Sequence, residues 1–295
     1  MFKRKLGSTP EHLSVVGFGG ILVMDETPEE ASRHVATAIE RGVNYFDVAP
    51  SYGNAEERLG PALAPYRKNV FLACKTGKRD AKGAEEELRA SLQRMHSEYF
   101  DLYQLHAVKT DEDVQQILSP HGALETFVKA RQQGLVRYLG FSAHSEAAAL
   151  ALMEAFAFDT ILFPLNWTCW FQGDFGPRVL PVAVGKGMGV LALKALCKRA
   201  WGENEERRWK KTWYAPVDTY EEAVSAMRFT LSLATAPGGQ PAVTAAVSPG
   251  HIELFHWACD AVEASQQALA LSPAESEQLE QHSRGLQPIF PQSAA

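Results

Sequence analysis

Apolar residues gather along the chain into eight short runs, each followed by sequence in which apolar and polar positions recur at helical spacing. The first run, Ser14-Val15-Val16-Gly17-Phe18-Gly19-Gly20, is stopped by glycines and predicts a buried strand. Behind it, Thr27-Pro28-Glu29-Glu30 supplies a cap, a proline at the first helical position and acids in the first turn, and Gly42 closes that helix. Runs over 43–48, 70–75, 100–106, 136–142, 160–166, 189–193 and 241–247 predict the remaining strands. Helices are expected from 54 onward and over 83–96, 122–133, 145–156, 176–187, 219–234 and 250–267. An irregular insert covers 198–217, and 273–284 reads as an additional C-terminal helix.

No Pro/Ser-rich linker interrupts this alternation, so the α/β pattern predicts one (β/α)₈ TIM barrel, a single domain over 1–295, rather than two doubly wound domains. Composition supports an ordinary globular chain, with 46% hydrophobic and 22% charged residues among 295. The net charge of −6 argues against nucleic-acid and polybasic membrane partners. The basic stretch from Lys198 to Lys211 is interleaved with acids and Trp and reads as a solvated face of the insert. The start, Met-Phe-Lys-Arg-Lys-Leu-Gly, has no apolar stretch behind its charges, so no secretory signal is expected, and no apolar run approaches the ~18 residues of a membrane span. Cys74, Cys169, Cys197 and Cys259 form no CxxC pair, which points to a reducing cytoplasm and leaves the sequon Asn166-Trp167-Thr168 idle.

Chemistry in such a barrel is built at the C-terminal ends of the strands. Asp47 closes the second run, Tyr52 follows in the loop Ala49-Pro50-Ser51-Tyr52-Gly53, Lys75 closes the third and His106 the fourth. Singly, each also has a plain structural reading: a turn cap, a half-buried ring, a snorkelling lysine, a satisfied core histidine. Together they form a proton-delivery set, because a phenol with a pKa of about 10 donates poorly near neutrality unless a cation stabilises its phenolate. Lys75 is the candidate cation, Asp47 would hold it, and His106 would donate to a developing oxyanion. Such a set supplies no electrons, so a carbonyl reduction would need a hydride donor such as a nicotinamide.

The segments Asp47-Val48-Ala49-Pro50-Ser51-Tyr52-Gly53-Asn54-Ala55-Glu56 and Asp101-Leu102-Tyr103-Gln104-Leu105-His106, with Lys75, resemble the aldo-keto reductase family. The resemblance runs from Leu6-Gly7-Ser8 to about residue 197. It implies a (β/α)₈ barrel that binds NAD(P)(H) at its C-terminal rim and interconverts a carbonyl and an alcohol. Tyr52 would be the general acid/base, Lys75 and Asp47 its tuning pair, and His106 the group orienting the carbonyl. NADP(H) is favoured over NAD(H) by family habit alone.

Departures from the family pattern concern the cofactor. Ser142 matches a carboxamide contact, but Ala143-His144 follows it where Asn is usual, and Asn166 is the candidate replacement for a missing Gln. Leu193-Lys194-Ala195-Leu196 stands where an aromatic residue usually stacks on the nicotinamide, with Lys194 a candidate pyrophosphate neutraliser. Ser248, Gly250 and His251 open a helix able to receive phosphate, without the usual basic residues for a 2′-phosphate. Gly185-Lys186-Gly187-Met188-Gly189 precedes a strand and so is no dinucleotide fingerprint. His144, Trp167 and Trp201 are candidate substrate contacts, and Trp201, Trp209, Trp213 and Tyr214 make the insert a candidate pocket wall. Two rival readings are a dinucleotide-binding sensor or accessory subunit without turnover, and a metal-dependent hydrolase using His144, Asp47 and His106.

Overall fold

In a computed structural model of the chain, which describes residues 1–236, 238–265 and 269–291, the eight runs become eight parallel strands that close on themselves. They are β3 (Val16–Gly19), β4 (Tyr45–Asp47), β5 (Phe71–Thr76), β6 (Phe100–Val108), β7 (Val136–Ala143), β8 (Thr160–Pro164), β9 (Gly189–Leu193) and β12 (Val243–Val247). Their order round the barrel follows the chain, with β12 pairing both β9 and β3. The helices between them include α1 (Pro28–Glu40), α2 (Ala55–Leu63), α3 (Ala81–Arg94), α4 (Asp111–Leu118), α5 (Ala123–Gln132), α6 (Glu146–Ala155), α7 (Trp167–Phe171), α8 (Val179–Gly185), α9 (Tyr220–Ser232) and α10 (Ile252–Ala264). The expected signals work locally: Thr27 and Glu30 form a reciprocal capping box at α1, behind Pro28.

Strand side chains alternate between two environments, as the twofold period of a strand requires. Outward residues pack against the helices, while Tyr45, Phe71, Ala73, Leu102, Leu162, Leu191 and Ala245 fill the barrel itself. Gly17 makes room for this filling, because a Cβ there would lie 2.5 Å from the Tyr45 ring.

The polar amino terminus conceals an element that the pattern did not predict. β1 (Lys3–Lys5) and β2 (His12–Ser14) pair antiparallel, and the buried Leu6 and Leu13 join the interior cluster from below, Leu6 resting on Gly189 at the start of β9. This hairpin is the floor of the barrel. The insert is also less irregular than expected, since β10 (Cys197–Arg199) and β11 (Ala215–Pro216) pair antiparallel at its base. The expected final helix is present as α11 (Pro273–Ser283). Among the described residues no helix is long and apolar enough to cross a membrane.

Candidate active site

At the C-terminal rim the alternation that fills the barrel turns polar. Asp47, Lys75 and His106 each take an inward position at the end of β4, β5 and β6, and Tyr52 reaches the same cavity from the loop behind β4. Lys75 is 1% exposed and pairs with Asp47, whose other oxygen accepts from Gln104 Nε2 at 2.9 Å and Tyr45 OH at 3.3 Å. Gln104 and Tyr45 were not singled out from the sequence, although a Gln in an otherwise apolar strand was the available signal. The Lys75 Nζ lies 5.4 Å from the centre of the Tyr52 ring, and that ring meets His106 edge-on at 5.8 Å.

Burial acts against the Lys75 ammonium, but the adjacent Asp47 carboxylate outweighs it and holds the pKa above the ordinary lysine value. For Tyr52 burial dominates and raises the pKa, with Lys75 pulling in the opposite direction. Desolvation, aided by the charges of Lys75 and Lys194, pushes His106 down to about 3, so its ring is neutral near pH 7. Ser51 Oγ lies 3.3 Å from His106 Nδ1, and a hydroxyl donating there leaves the ring proton on Nε2.

The cavity has a volume of about 170 Å³ and extends from this group past Ser142, His144, Leu162, Leu193 and Lys194 to Val247, Ser248 and Gly250. Ser142 Oγ accepts from the Ala107 N–H at 2.7 Å, and Ser248 Oγ from the Gly19 N–H at 3.0 Å. Close packing defines this end: a Cβ at Gly19 would meet the Ser248 carbonyl at 2.2 Å, and one at Gly250 would meet Lys211 Cβ at 2.8 Å. The N-terminus of α10 has no side-chain cap, so its first N–H groups are free of one. Glycines, hydroxyls and uncapped amides in one track form a donor set suited to a dinucleotide phosphate chain.

Four expected contacts fall elsewhere. Asn166 is fully buried and outside the cavity lining, its Oδ1 accepting from the Cys169 N–H to cap α7. Trp167, first residue of α7, packs in the outer core, away from the cavity. Trp201 donates through Nε1 to the Thr212 carbonyl at 3.1 Å and so braces the insert from within. His251 Nε2 accepts from the Lys211 N–H at 3.0 Å, so the insert occupies that ring. Of the four insert aromatics expected as a wall, Trp213, 54% exposed, and Tyr214 line the cavity, while Trp209 packs on His251 and Trp257.

The basic residues of the insert are not simply solvated. Lys211 Nζ donates to the Leu22 carbonyl at 2.9 Å and pairs with Glu26 at 2.6 Å, and Arg208 pairs with Glu253 on α10 at 3.0 Å. Phe290, from the tail beyond α11, also reaches the mouth, its ring 4.8 Å from that of His144. Among the described residues no His, Cys, Asp and Glu side chains form a group of three able to share a metal ion.

A barrel with its ionisable groups at this rim is a common enzyme architecture, and the chain's relationships narrow it. The aldo/keto reductase family model matches residues 15–226, and the chain belongs to that family. Its relatives include the oxidoreductase YqkF of Bacillus subtilis, 34% identical over 156 residues, which are 48% of this chain and 49% of YqkF. Probable aldo-keto reductase 1 of Glycine max is 28% identical over 218 residues, 67% of this chain and 60% of that protein. The matches thus span about half to three-fifths of these two relatives. The fold is shared with the holo form of aldo-keto reductase AKR11C1 from Bacillus halodurans, with a TM-score of 0.73 at 21% identity over 98% of both chains.

Proposed function

We propose that the protein is an NAD(P)H-dependent oxidoreductase that interconverts an aldehyde or ketone and an alcohol, the whole chain acting as one barrel unit. The observation that carries the reading is the convergence of Tyr52, His106 and the Lys75–Asp47 pair on one cavity. A nicotinamide cofactor, when bound, supplies the hydride that the carbonyl carbon accepts. His106, neutral, donates a hydrogen bond to the carbonyl oxygen and orients it. Tyr52 gives its proton to that oxygen as the negative charge develops, and Lys75, kept charged by Asp47, stabilises the phenolate left behind. Ser142, Ser248 and Gly250 would hold the dinucleotide, and the insert, whose Lys211 packs close to Gly250, would lift to admit it. NADP(H) is the favoured form, and buried free thiols at all four cysteines suit a cytoplasmic setting.

The test is a fluorescence titration with NADPH and with NADH, joined to turnover of simple aldehydes by wild type and Tyr52→Phe. The reading expects binding of at least one cofactor by both proteins and turnover by wild type alone. Equal turnover by Tyr52→Phe refutes the proton assignment. The sensor reading is favoured by Leu193 and Leu162 lining the cavity in place of an aromatic and a Gln, and it expects binding without turnover in either protein.

A further inference from the structure

Three lysines line the cavity, and two have partners: Lys75 with Asp47 and Lys211 with Glu26. The third, Lys194, has no carboxylate within ion-pairing distance among the described residues. Its polar neighbour is His144, with Nε2 3.2 Å from Nζ. Two rings flank the ammonium, Trp213 at 5.4 Å and Phe290 at 5.5 Å from Nζ to the centroids. Backbone geometry sets this position: Lys194 directly follows β9 with φ of +63°, a left-handed conformation that a lysine adopts only under local constraint.

The direction of the side chain matters more than its charge. β7 lies opposite β3 in the eight-stranded ring, whereas β12, which leads to Ser248, Gly250 and α10, lies beside β3. From the end of β9, which pairs β12 on one side and β8 on the other, Nζ turns to His144 behind β7. A cation sent to a phosphate chain at α10 would point the other way. Lys194 is half-buried, and desolvation without a counter-charge weakens the ammonium, to a pKa of about 7; the opposing influences are Cys169 and Cys197, whose own burial keeps them as neutral thiols. An arriving anion would supply the missing partner.

We propose that Lys194, held by His144 and flanked by Trp213 and Phe290, receives a carboxylate carried by the carbonyl substrate, so that the site selects aldehydes or ketones with an acidic far end. This rests on the oxidoreductase reading above. The carbonyl lies at Tyr52 and His106 and the carboxylate at Lys194, groups that line one cavity. His144, neutral because burial and then Lys194 push it down to about 2, acts as the second donor or as the acceptor that steadies Nζ.

The test compares 4-oxobutanoate with butanal, a matched pair with and without the carboxylate, in wild type, Lys194→Met and Lys194→Arg, alongside NADPH affinity and succinate binding followed by tryptophan fluorescence. Wild type is expected to favour 4-oxobutanoate in kcat/KM. Lys194→Met should lower that preference about 30-fold, the scale of one charge-assisted hydrogen bond, and Lys194→Arg should restore part of it. Wild type should also bind succinate saturably, and butanamide much more weakly. An unchanged substrate ratio in Lys194→Met overturns the proposal, as does a loss confined to NADPH affinity, which would assign the cation to a cofactor phosphate. Absence of saturable succinate binding by wild type overturns it without any variant. Failure to turn over any aldehyde would refute the oxidoreductase reading, while succinate binding would still report on the carboxylate receptor.

Discussion

The Lys75–Asp47 pair permits a test of the site that requires no substrate. Both side chains are at most 3% exposed, so neither charge is screened by water. Lys75→Met leaves the Asp47 carboxylate with two neutral donors, Gln104 and Tyr45, and should destabilise the fold by about 3 kcal/mol, the lower end for a broken buried pair. Asp47→Asn leaves the ammonium with the Val48 carbonyl at 3.4 Å and should cost about the same. The double variant removes both charges while the Asn carbonyl still accepts from Gln104 and Tyr45, so its cost should not exceed about 3 kcal/mol and the coupling energy should be at least about 3 kcal/mol. For 295 residues the unfolding entropy is about 0.6 kcal/mol/K, so each single variant should melt about 5 °C below wild type and the double no lower. Differential scanning calorimetry of the four proteins measures this directly. A double variant near 10 °C below wild type would show the effects to be additive and refute a coupled buried pair.

Acid sensitivity follows from His106 and His144, which fold with their pKa values depressed to about 3 and about 2. The unfolded chain binds their protons near pH 6.5, so their contribution is intact above that value and is lost as pH falls, by about 2 kcal/mol each between pH 7 and pH 5. Urea midpoints across that range should therefore fall, and His144→Gln should remove about 2 kcal/mol of the decline, to which His34 and His251, also lowered by burial, add. All four cysteines are buried as free thiols, so a thiol reagent such as DTNB should react slowly with the native protein and with four groups per chain in denaturant. Cleavage by trypsin at Arg207, Arg208 or Lys210 should change in rate on adding the cofactor that binds, because the insert rests on the track through Lys211 and Arg208; an unchanged rate would remove the lifting step.

The barrel was legible because parallel strands covered on both sides read as continuous apolar runs, and because Asp47, Lys75 and His106 interrupt those runs at their ends. The floor hairpin was not legible: Lys3, Arg4, Lys5 and His12 give its strands a charged face, and Leu6 and Leu13 lie outside any run. Arg4 shows how much a polar segment can be tied down, donating to the carbonyls of Leu231 and Val243 at 2.7 Å each. Among the expected site residues, Asp47, Lys75 and His106 on strands line the cavity, and so do Tyr52, His144, Lys194, Ser248 and Gly250 beyond strand ends, whereas Asn166, Trp167, Trp201 and His251 do not. Asn166 could equally face the mouth or cap the next helix, and local hydrogen bonding chose the cap. Phe290 arrives from a tail that carries no periodic signal, so its meeting with His144 and Lys194 exists only in three dimensions.

The floor hairpin has a consequence for timing. Below Tyr52 the polar groups run through Lys75 and Asp47 to Gln104 and Tyr45, and there they end against Phe71 and the apolar floor of Leu6 and Leu13. Among the described residues no side-chain hydrogen bond carries that chain further. On the function proposed, the phenolate left after each turnover is recharged from bulk water through the mouth, the same opening by which product leaves. Product departure and proton reloading would then share one doorway, and a solvent isotope effect on the late, release-side steps would be its kinetic trace.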